Sequence, residues 1–241
     1  MDEKQTYIVN SLKDFITDRY DPELIILYGS TARGDTDEFS DIDMMVIMDV
    51  GDSEKLTAEM LAGTDHIVHD KHIILRSIDD YFNHKDIPGT MVYSALIEGL
   101  ILFQRSGFDT SALPLKSYGE RKRDVIEKEY FEQACDFLEM GLMFLDGKQL
   151  FRCRDYLRFT TIRMLKAVFV FRDVNPPRDT DLEVLFERAR ELLPEIEKIS
   201  PVISELNNFI PSGNEPEDIS KCRYIVDKTR FVIDCIVLFL N

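Results

Sequence analysis

The sequence has no apolar run long enough to cross a membrane, and we expect no signal peptide from its first residues. None of its 241 residues fall in a stretch of about 20 consecutive apolar side chains. The N-terminus begins with Met1, Asp2 and Glu3, and it lacks the basic and apolar segments of a signal peptide. We therefore expect a cytoplasmic protein without a membrane partner.

The sequence also has no closely spaced pair of cysteines of the kind that binds metals. The chain has four cysteines without any C-x-x-C spacing: Cys135, Cys153, Cys222 and Cys235. The four histidines all lie between residues 66 and 84, so a zinc site would have to join distant segments. Reduced, packed thiols are expected here rather than a disulfide framework or a zinc site.

Basic side chains are few. The chain has 45 acidic and 29 basic residues, for a formal net charge of −16. The imbalance is uneven, because residues 1–105 hold 21 acidic against 9 basic side chains. A general nucleic-acid binder needs a basic surface, so this charge argues against that class of protein.

The most informative stretch runs from residue 24 to residue 49. Residues 24–28 form a short apolar run that predicts a strand buried on both faces. Gly29 ends it, Ser30 is a candidate N-cap for a short helix, and Gly34 is expected to stop that helix. After a polar, turn-forming segment, residues 41–48 predict a second buried strand.

This second strand begins with two acidic residues, Asp41 and Asp43. Side chains at i and i+2 of a strand point to the same face, so the two carboxylates are expected side by side. Two unpaired like charges are costly there, and a bound cation offsets that cost. Mg²⁺ suits the position, since it takes one or two carboxylates together with phosphate oxygens. The preceding Gly29-Ser30 turn presents backbone N–H groups that suit an anion.

The combination of Gly29-Ser30, Arg33-Gly34 and Ser40-Asp41-Ile42-Asp43 followed by an apolar strand resembles the polymerase-beta-like nucleotidyltransferases, and their minimal branch most of all. The resemblance implies transfer of a nucleoside monophosphate from an NTP, with ATP as the expected donor, to a hydroxyl-bearing acceptor. Pyrophosphate is released. The expected cofactor is Mg²⁺, as one or two ions.

The resemblance also implies a role for each matching residue. Asp41 and Asp43 are the expected metal ligands and catalytic carboxylates. The expected nucleotide-binding residues are Gly29 and Ser30, on the β- and γ-phosphates, together with Arg33 and Ser40. The position of Arg33 on a short helix equally allows a surface ion pair.

The third strand departs from the family pattern. Residues 65–76 predict this strand, and family members place a third carboxylate within it. Here His72 occupies that position, and Asp70 lies two residues earlier. Three alternatives stay open: Asp70 substitutes with a shifted register, His72 serves as base or ligand, or the base is lost.

The whole pattern predicts an α+β protein: a small mixed-sheet nucleotidyltransferase domain followed by an all-α helical bundle. The predicted boundaries are residues 1–105 for the first domain, 106–119 for a linker rich in Gly, Pro and Ser, and 120–241 for the bundle. Residues 160–177 and 180–185 resemble part of a HEPN-type helical domain. The arginine–histidine dyad of HEPN nucleases is absent, because every histidine precedes residue 85. The bundle is therefore expected to bind substrate.

Arg154 and Arg158 share a helix face and are the first candidates for binding an acidic substrate, with Arg152, Arg163 and Lys166 as further candidates. A solvated helix face is the competing interpretation. The alternative function is a catalytically weakened nucleotide-binding or protein-interaction module, antitoxin-like in organisation. The sequence leaves open the acceptor, the choice of NTP and the oligomeric state, with a homodimer as one option.

Overall fold

The computed structural model describes residues 3–35, 41–49, 53–67, 69–178, 180–213 and 215–240. It divides into two compact units, residues 1–117 and 118–241. The first unit is a four-stranded mixed sheet with helices, and the second is entirely helical in its regular structure. The α+β prediction is confirmed. None of the helices in these ranges combines the length and apolarity needed to span a bilayer.

The first unit alternates helices and strands. In chain order its elements are α1 (Glu3–Tyr20), β1 (Leu24–Tyr28), α2 (Gly29–Arg33), β2 (Ile42–Ile47), α3 (Ser53–Gly63), β3 (Lys71–Arg76), α4 (Ile78–His84), α5 (Met91–Glu98) and β4 (Leu100–Gln104). The strand order is β3-β2-β1-β4, with β2 and β3 parallel and the other pairs antiparallel. The predicted third strand was too long at its start, because β3 begins at Lys71 and the described residues before it, 65–67 and 69–70, are not in a strand.

Both faces of the sheet are covered, which explains why β1 and β2 are almost wholly apolar. Ile25 and Leu27 of β1 pack on one face with α1 and α3. Leu24 and Ile26 pack on the other face with α4 and α5. Met45 and Ile47 of β2 belong to this second face, and Asp43 shares it by the two-residue period of the strand. An acidic residue thus stands at the end of an apolar row.

The second unit contains α6 (Tyr118–Val125), a π-helical segment (Ile126–Glu132), α7 (Gln133–Asp146), α8 (Leu150–Phe171), α9 (Leu182–Leu192), a 3₁₀ helix (Pro194–Ile199), α10 (Ser200–Asn208) and α11 (Pro216–Leu240). Its core is one continuous apolar cluster built around α8. All regular structure described in this unit is helical, as predicted. The sequence pattern did not predict the π-helical segment, which interrupts an otherwise continuous helical stretch over residues 118–146.

Candidate active site

A glycine bend joins β1 to α2. Gly29 has φ +75°, a conformation that costs a side-chain-bearing residue about 1–2 kcal/mol. The helix begins at Gly29 itself, with Tyr28 at the N-cap, so the expectation that Ser30 caps it was wrong. Gly29 makes the bend, and Ser30 therefore already lies within the first turn. Gly34 ends the helix in the left-handed conformation (φ +79°), as predicted.

Asp43 lies directly against this bend. A Cβ atom added to Gly29 would lie 2.2 Å from Oδ2 of Asp43, closer than two such atoms can approach. The antiparallel register pairs Tyr28 with Asp43, which brings the carboxylate beside the next residue of the chain. The missing side chain of Gly29 is thus what makes room for the carboxylate.

Asp41 lies one residue before β2, rather than within it as expected from the pattern. Its backbone carbonyl accepts a hydrogen bond of 2.8 Å from the hydroxyl of Thr31, a buried residue of α2. The side chain of Asp41 is exposed, and its charge acts on Asp43. The structure therefore places the Asp43 carboxylate at the glycine bend, with Asp41 near enough for its charge to act on Asp43, and Thr31 connects α2 to the start of β2.

His72 is beside Asp43 on the neighbouring strand. The parallel register of β2 and β3 pairs these two residues. Nδ1 of His72 is 3.8 Å from Oδ1 of Asp43, and 76% of the His72 side chain is exposed against 23% for Asp43. Tyr28, Asp43 and His72 consequently form one row across three strands, with the imidazole at its open end.

Asp70 is placed differently from the sequence expectation. It is exposed and lies in the turn before β3, so it is not part of the strand. Its backbone carbonyl accepts a hydrogen bond of 3.0 Å from the N–H of Ile42, which puts it one step before the registered pairs and level with Asp41. Of the two candidates for the third site residue, His72 is the one in register with Asp43.

The electrostatics of this row disfavour a charged Asp43. Burial raises the pKa of its carboxyl above the ordinary value, and the negative charge of Asp41 adds to this, while His72 and Arg33 oppose it. The pKa of Tyr28 is raised to about 12, mainly by burial and to a smaller extent by the charge of Asp43. Its phenol therefore stays neutral near pH 7. A cation beside Asp41 and Asp43 would relieve both effects.

Arg33 is already engaged with carboxylates. Its Nε lies 3.1 Å from Asp35 Oδ2, and one terminal nitrogen lies 3.4 Å from Glu98 Oε2. This is the ion-pair alternative that the sequence left open for Arg33. Ser40, the remaining predicted nucleotide-binding residue, lies outside the described residues.

Asp41 and Asp43 are suitable ligands for a magnesium ion whose remaining coordination positions are filled by a substrate. Within the described ranges, no group of three or more histidine, cysteine or acidic side chains is arranged to hold a metal ion. Mg²⁺ does not require one, because it commonly uses one or two carboxylates together with water and phosphate oxygens. The raised pKa of Asp43 and the absence of a lysine or arginine salt bridge to Asp43 among the described residues are consistent with such a ligand role.

The basic candidates of the second unit separate into different environments. Arg158 donates a hydrogen bond of 2.7 Å to Asn207, Nε of Arg154 lies 3.8 Å from Asp155, and Arg152 lies 5.4 Å from the ring centre of Phe144. Arg163 and Lys166 line a cavity together. The predicted substrate role of Arg154 and Arg158 stays a prediction.

Two residues of the site were missed by sequence reasoning. Tyr28 reads as the last apolar residue of a strand, and Thr31 as an ordinary residue of a short helix. Nothing in the local sequence marks the Thr31 hydrogen bond to Asp41, because it joins residues ten positions apart.

The Thr31 hydroxyl gives a test of how Asp41 is positioned. We expect Thr31→Val to lower the free energy of unfolding by about 0.5–1.5 kcal/mol, since a partly buried hydrogen bond is lost at nearly constant side-chain volume. Thr31→Ser keeps the hydroxyl and should retain most of the stability. Urea unfolding of the three proteins measures this. A Val variant as stable as the parent would show that the hydrogen bond does not hold Asp41.

Residues 10–107 match the family model described as polymerase beta, nucleotidyltransferase. This match lies within the first unit and agrees with the resemblance seen in its sequence. The HEPN-like interpretation of the second unit stays a prediction. No curated protein sequence matches the chain.

Two solved structures are similar to the chain over nearly its whole length. One is a nucleotidyltransferase-like protein from Exiguobacterium sibiricum 255-15, with 11% identity and a TM-score of 0.47 over 97% of this chain and 75% of that one. The other is a spectinomycin adenyltransferase from Enterococcus faecialis, solved with ATP and spectinomycin. It has 12% identity and a TM-score of 0.44 over 93% of this chain and 99% of that one.

Proposed function

We propose that the chain is a Mg²⁺-dependent nucleotidyltransferase that moves a nucleoside monophosphate from an NTP, with ATP as the expected donor, to a hydroxyl-bearing acceptor. The observation that carries the proposal is the Asp43 carboxylate at the Gly29 bend, where it fills the space of a missing side chain, with the charge of Asp41 acting on it. The nucleotidyltransferase match over residues 10–107 includes this whole site.

Asp41 and Asp43 would hold the metal. When bound, Mg²⁺ supplies Lewis-acid polarisation of the α-phosphate and neutralises charge on the pyrophosphate. Gly29 and Ser30 are the proposed contacts of the β- and γ-phosphates, as the family resemblance implies. The acceptor oxygen forms a bond to the α-phosphorus, and the bond between that phosphorus and the pyrophosphate oxygen breaks.

His72 is the better placed of the two candidate bases. Its imidazole is exposed and in register with Asp43, so it can accept the proton of an acceptor hydroxyl held near the α-phosphate. Asp70 lies in the preceding turn, level with Asp41. For the acceptor we propose only the chemical class, a hydroxyl-bearing compound.

The experiment is a pyrophosphate-release assay on the full chain with each of the four NTPs, Mg²⁺ and a mixture of hydroxyl-bearing acceptors. Calorimetric titration with each of the four Mg·NTPs accompanies it. We expect binding of the nucleotide only with metal present, and pyrophosphate release that depends on an acceptor. Failure of every Mg·NTP to bind would refute the proposal.

A second candidate function is a nucleotide-binding module that has lost catalysis. It is favoured by His72, which pairs with Asp43 where the family resemblance implies a third carboxylate. Mg·ATP binding without pyrophosphate release for any acceptor in the mixture would favour this candidate.

The choice between His72 and Asp70 can be tested directly. We expect His72→Ala to lower kcat by about 10²-fold, at the lower end of what a general base contributes, with little change in Mg·ATP affinity. Asp70→Asn should lower kcat by about threefold at most, because Asp70 is not the proposed general base. Steady-state kinetics and calorimetry separate the two effects. The reverse order of losses would assign the base to Asp70.

A further inference from the structure

The second unit contains a cavity of its own. Its volume is about 320 Å³, within the lower range of small-molecule sites. Its walls come from α7, α8 and the residue before the N-cap of α9, and they combine aromatic, aliphatic, basic and hydroxyl side chains: Phe137, Tyr156, Phe159, Ile162, Arg163, Lys166 and Thr180. Apolar walls with a few polar groups are typical of ligand sites.

Three aromatic rings form one side of this cavity. The ring centres of Phe137, Tyr156 and Phe159 lie 5.8–6.0 Å from one another, in tilted and edge-on arrangements. Phe159 is 47% exposed although it belongs to this cluster. An exposed ring at a cavity wall leaves a face on which another planar ring can stack.

Arg163 supplies a positive charge beside the rings. Its guanidinium carbon lies 6.0 Å from the ring centre of Tyr130, on the π-helical segment, and the side chain is half-buried. Within the described parts of the chain, no carboxylate forms an ion pair with Arg163. Lys166 lines the same cavity, one helical turn further along α8.

The spacing along α8 explains how these groups share a wall. Tyr156, Phe159, Arg163 and Lys166 stand at i, i+3, i+7 and i+10, which lie on one face of an α-helix. The aromatic groups come first and the basic groups follow. A ligand along this face would meet rings at one end and positive charge at the other.

We propose that the second unit binds a small planar aromatic compound that carries one anionic group, with the ring on Phe159 and the anion at Arg163. Carboxylate and phosphate both suit a guanidinium, which can donate two parallel hydrogen bonds to either. The proposal is independent of the nucleotidyl-transfer proposal, because every residue that carries it belongs to the second unit.

Phenyl phosphate and benzoate are the probes, measured by calorimetric titration of the full chain. We expect a dissociation constant of about 1 mM or below for at least one of them, as befits so small a ligand. The comparison of the two probes identifies the preferred anion. Two control compounds each lack one of the two features and should bind at least about fivefold more weakly. Cyclohexyl phosphate lacks the planar ring, and benzyl alcohol lacks the charge.

Variants locate the binding. Arg163→Gln should weaken the preferred probe about tenfold or more, because the charge-assisted contact is lost. Phe159→Leu should weaken it about fivefold, whereas Phe159→Tyr keeps the ring and should bind like the parent. Arg230→Gln, on α11, is the matched charge control, since Arg230 lies 3.3 Å from its partner Asp227. Unfolding temperatures identify any variant that fails to fold.

Asp43→Asn separates the two proposals, and it should bind the probe as the parent does. The proposed site would be overturned if neither probe bound at a concentration tenfold above the expected dissociation constant of about 1 mM. Equal affinity of the parent and of a folded Arg163→Gln variant would overturn it as well. Loss of probe binding in Asp43→Asn would instead place the probe at the candidate active site.

Discussion

Asp43→Asn is expected to abolish nucleotidyl transfer and, at the same time, to stabilise the folded chain near neutral pH. The expected loss of activity is about 10³-fold, since a bound metal supplies several kcal/mol of charge stabilisation and each 1.4 kcal/mol is a factor of ten in rate. An amide of the same shape keeps the packing against Gly29 but removes the charge that would hold the cation.

The stabilisation follows from the raised pKa of Asp43. Burial and the charge of Asp41 disfavour the ionised carboxylate in the folded state. A raised pKa means that the folded state holds this proton more tightly than the unfolded state. Its contribution to stability is full below the unfolded pKa of about 3.9 and is lost as the pH rises through the folded value. Above the folded value the parent has lost that contribution, whereas the asparagine variant has no charge to desolvate.

Thermal unfolding of the parent and the Asp43→Asn variant, without metal, tests this at several pH values. We expect the variant to be the more stable protein at pH 7, and the difference to disappear below about pH 4. Asp49→Asn is the matched control, because Asp49 is an exposed acidic residue just beyond the other end of β2. It should leave both activity and stability nearly unchanged. A destabilised but inactive Asp43→Asn protein would contradict the electrostatic account.

Gly29→Ala is expected to remove activity as completely as the loss of the Asp43 charge. The new Cβ would lie 2.2 Å from Asp43 Oδ2 and 3.1 Å from its Cγ, so the carboxylate would have to rotate away from the bend. The left-handed backbone adds a stability cost of about 1–2 kcal/mol. The activity loss comes from the displaced carboxylate, and the stability loss comes mostly from the backbone.

Gly34→Ala provides a control with the same backbone problem and no clash. Gly34 has φ +79°, close to the +75° of Gly29, but no atom of the described residues beyond its chain neighbours lies within 4 Å of an added Cβ. We expect similar losses of stability in urea unfolding for the two variants, with activity largely retained in Gly34→Ala. Equal activity in the two variants would show that the contact between Gly29 and Asp43 has no functional role.

The structure also shows where local patterns were insufficient. The strands β1 and β2 could be predicted because an uninterrupted apolar run of this length is typical of a strand buried on both faces. The predicted start of β3 was wrong by six residues, since the strand begins only where its pairing with β2 begins, at Lys71, and the local sequence does not mark that point. Ser30 was wrongly expected to cap α2, because a sequence pattern does not show which residue takes the left-handed conformation.

The sequence by itself determined the nature of this protein's first unit: a glycine bend, two acidic residues two positions apart and the apolar strands that carry them are all local features. Only the tertiary structure decided how the carboxylate, the glycine and the histidine meet. Asp43 is 14 residues from Gly29 and 29 from His72 in the chain, and strand pairing alone brings the three together. The cavity of the second unit has the same origin, since packing of α7 against α8 adds Phe137 to a helix face that the sequence shows only as a periodic pattern.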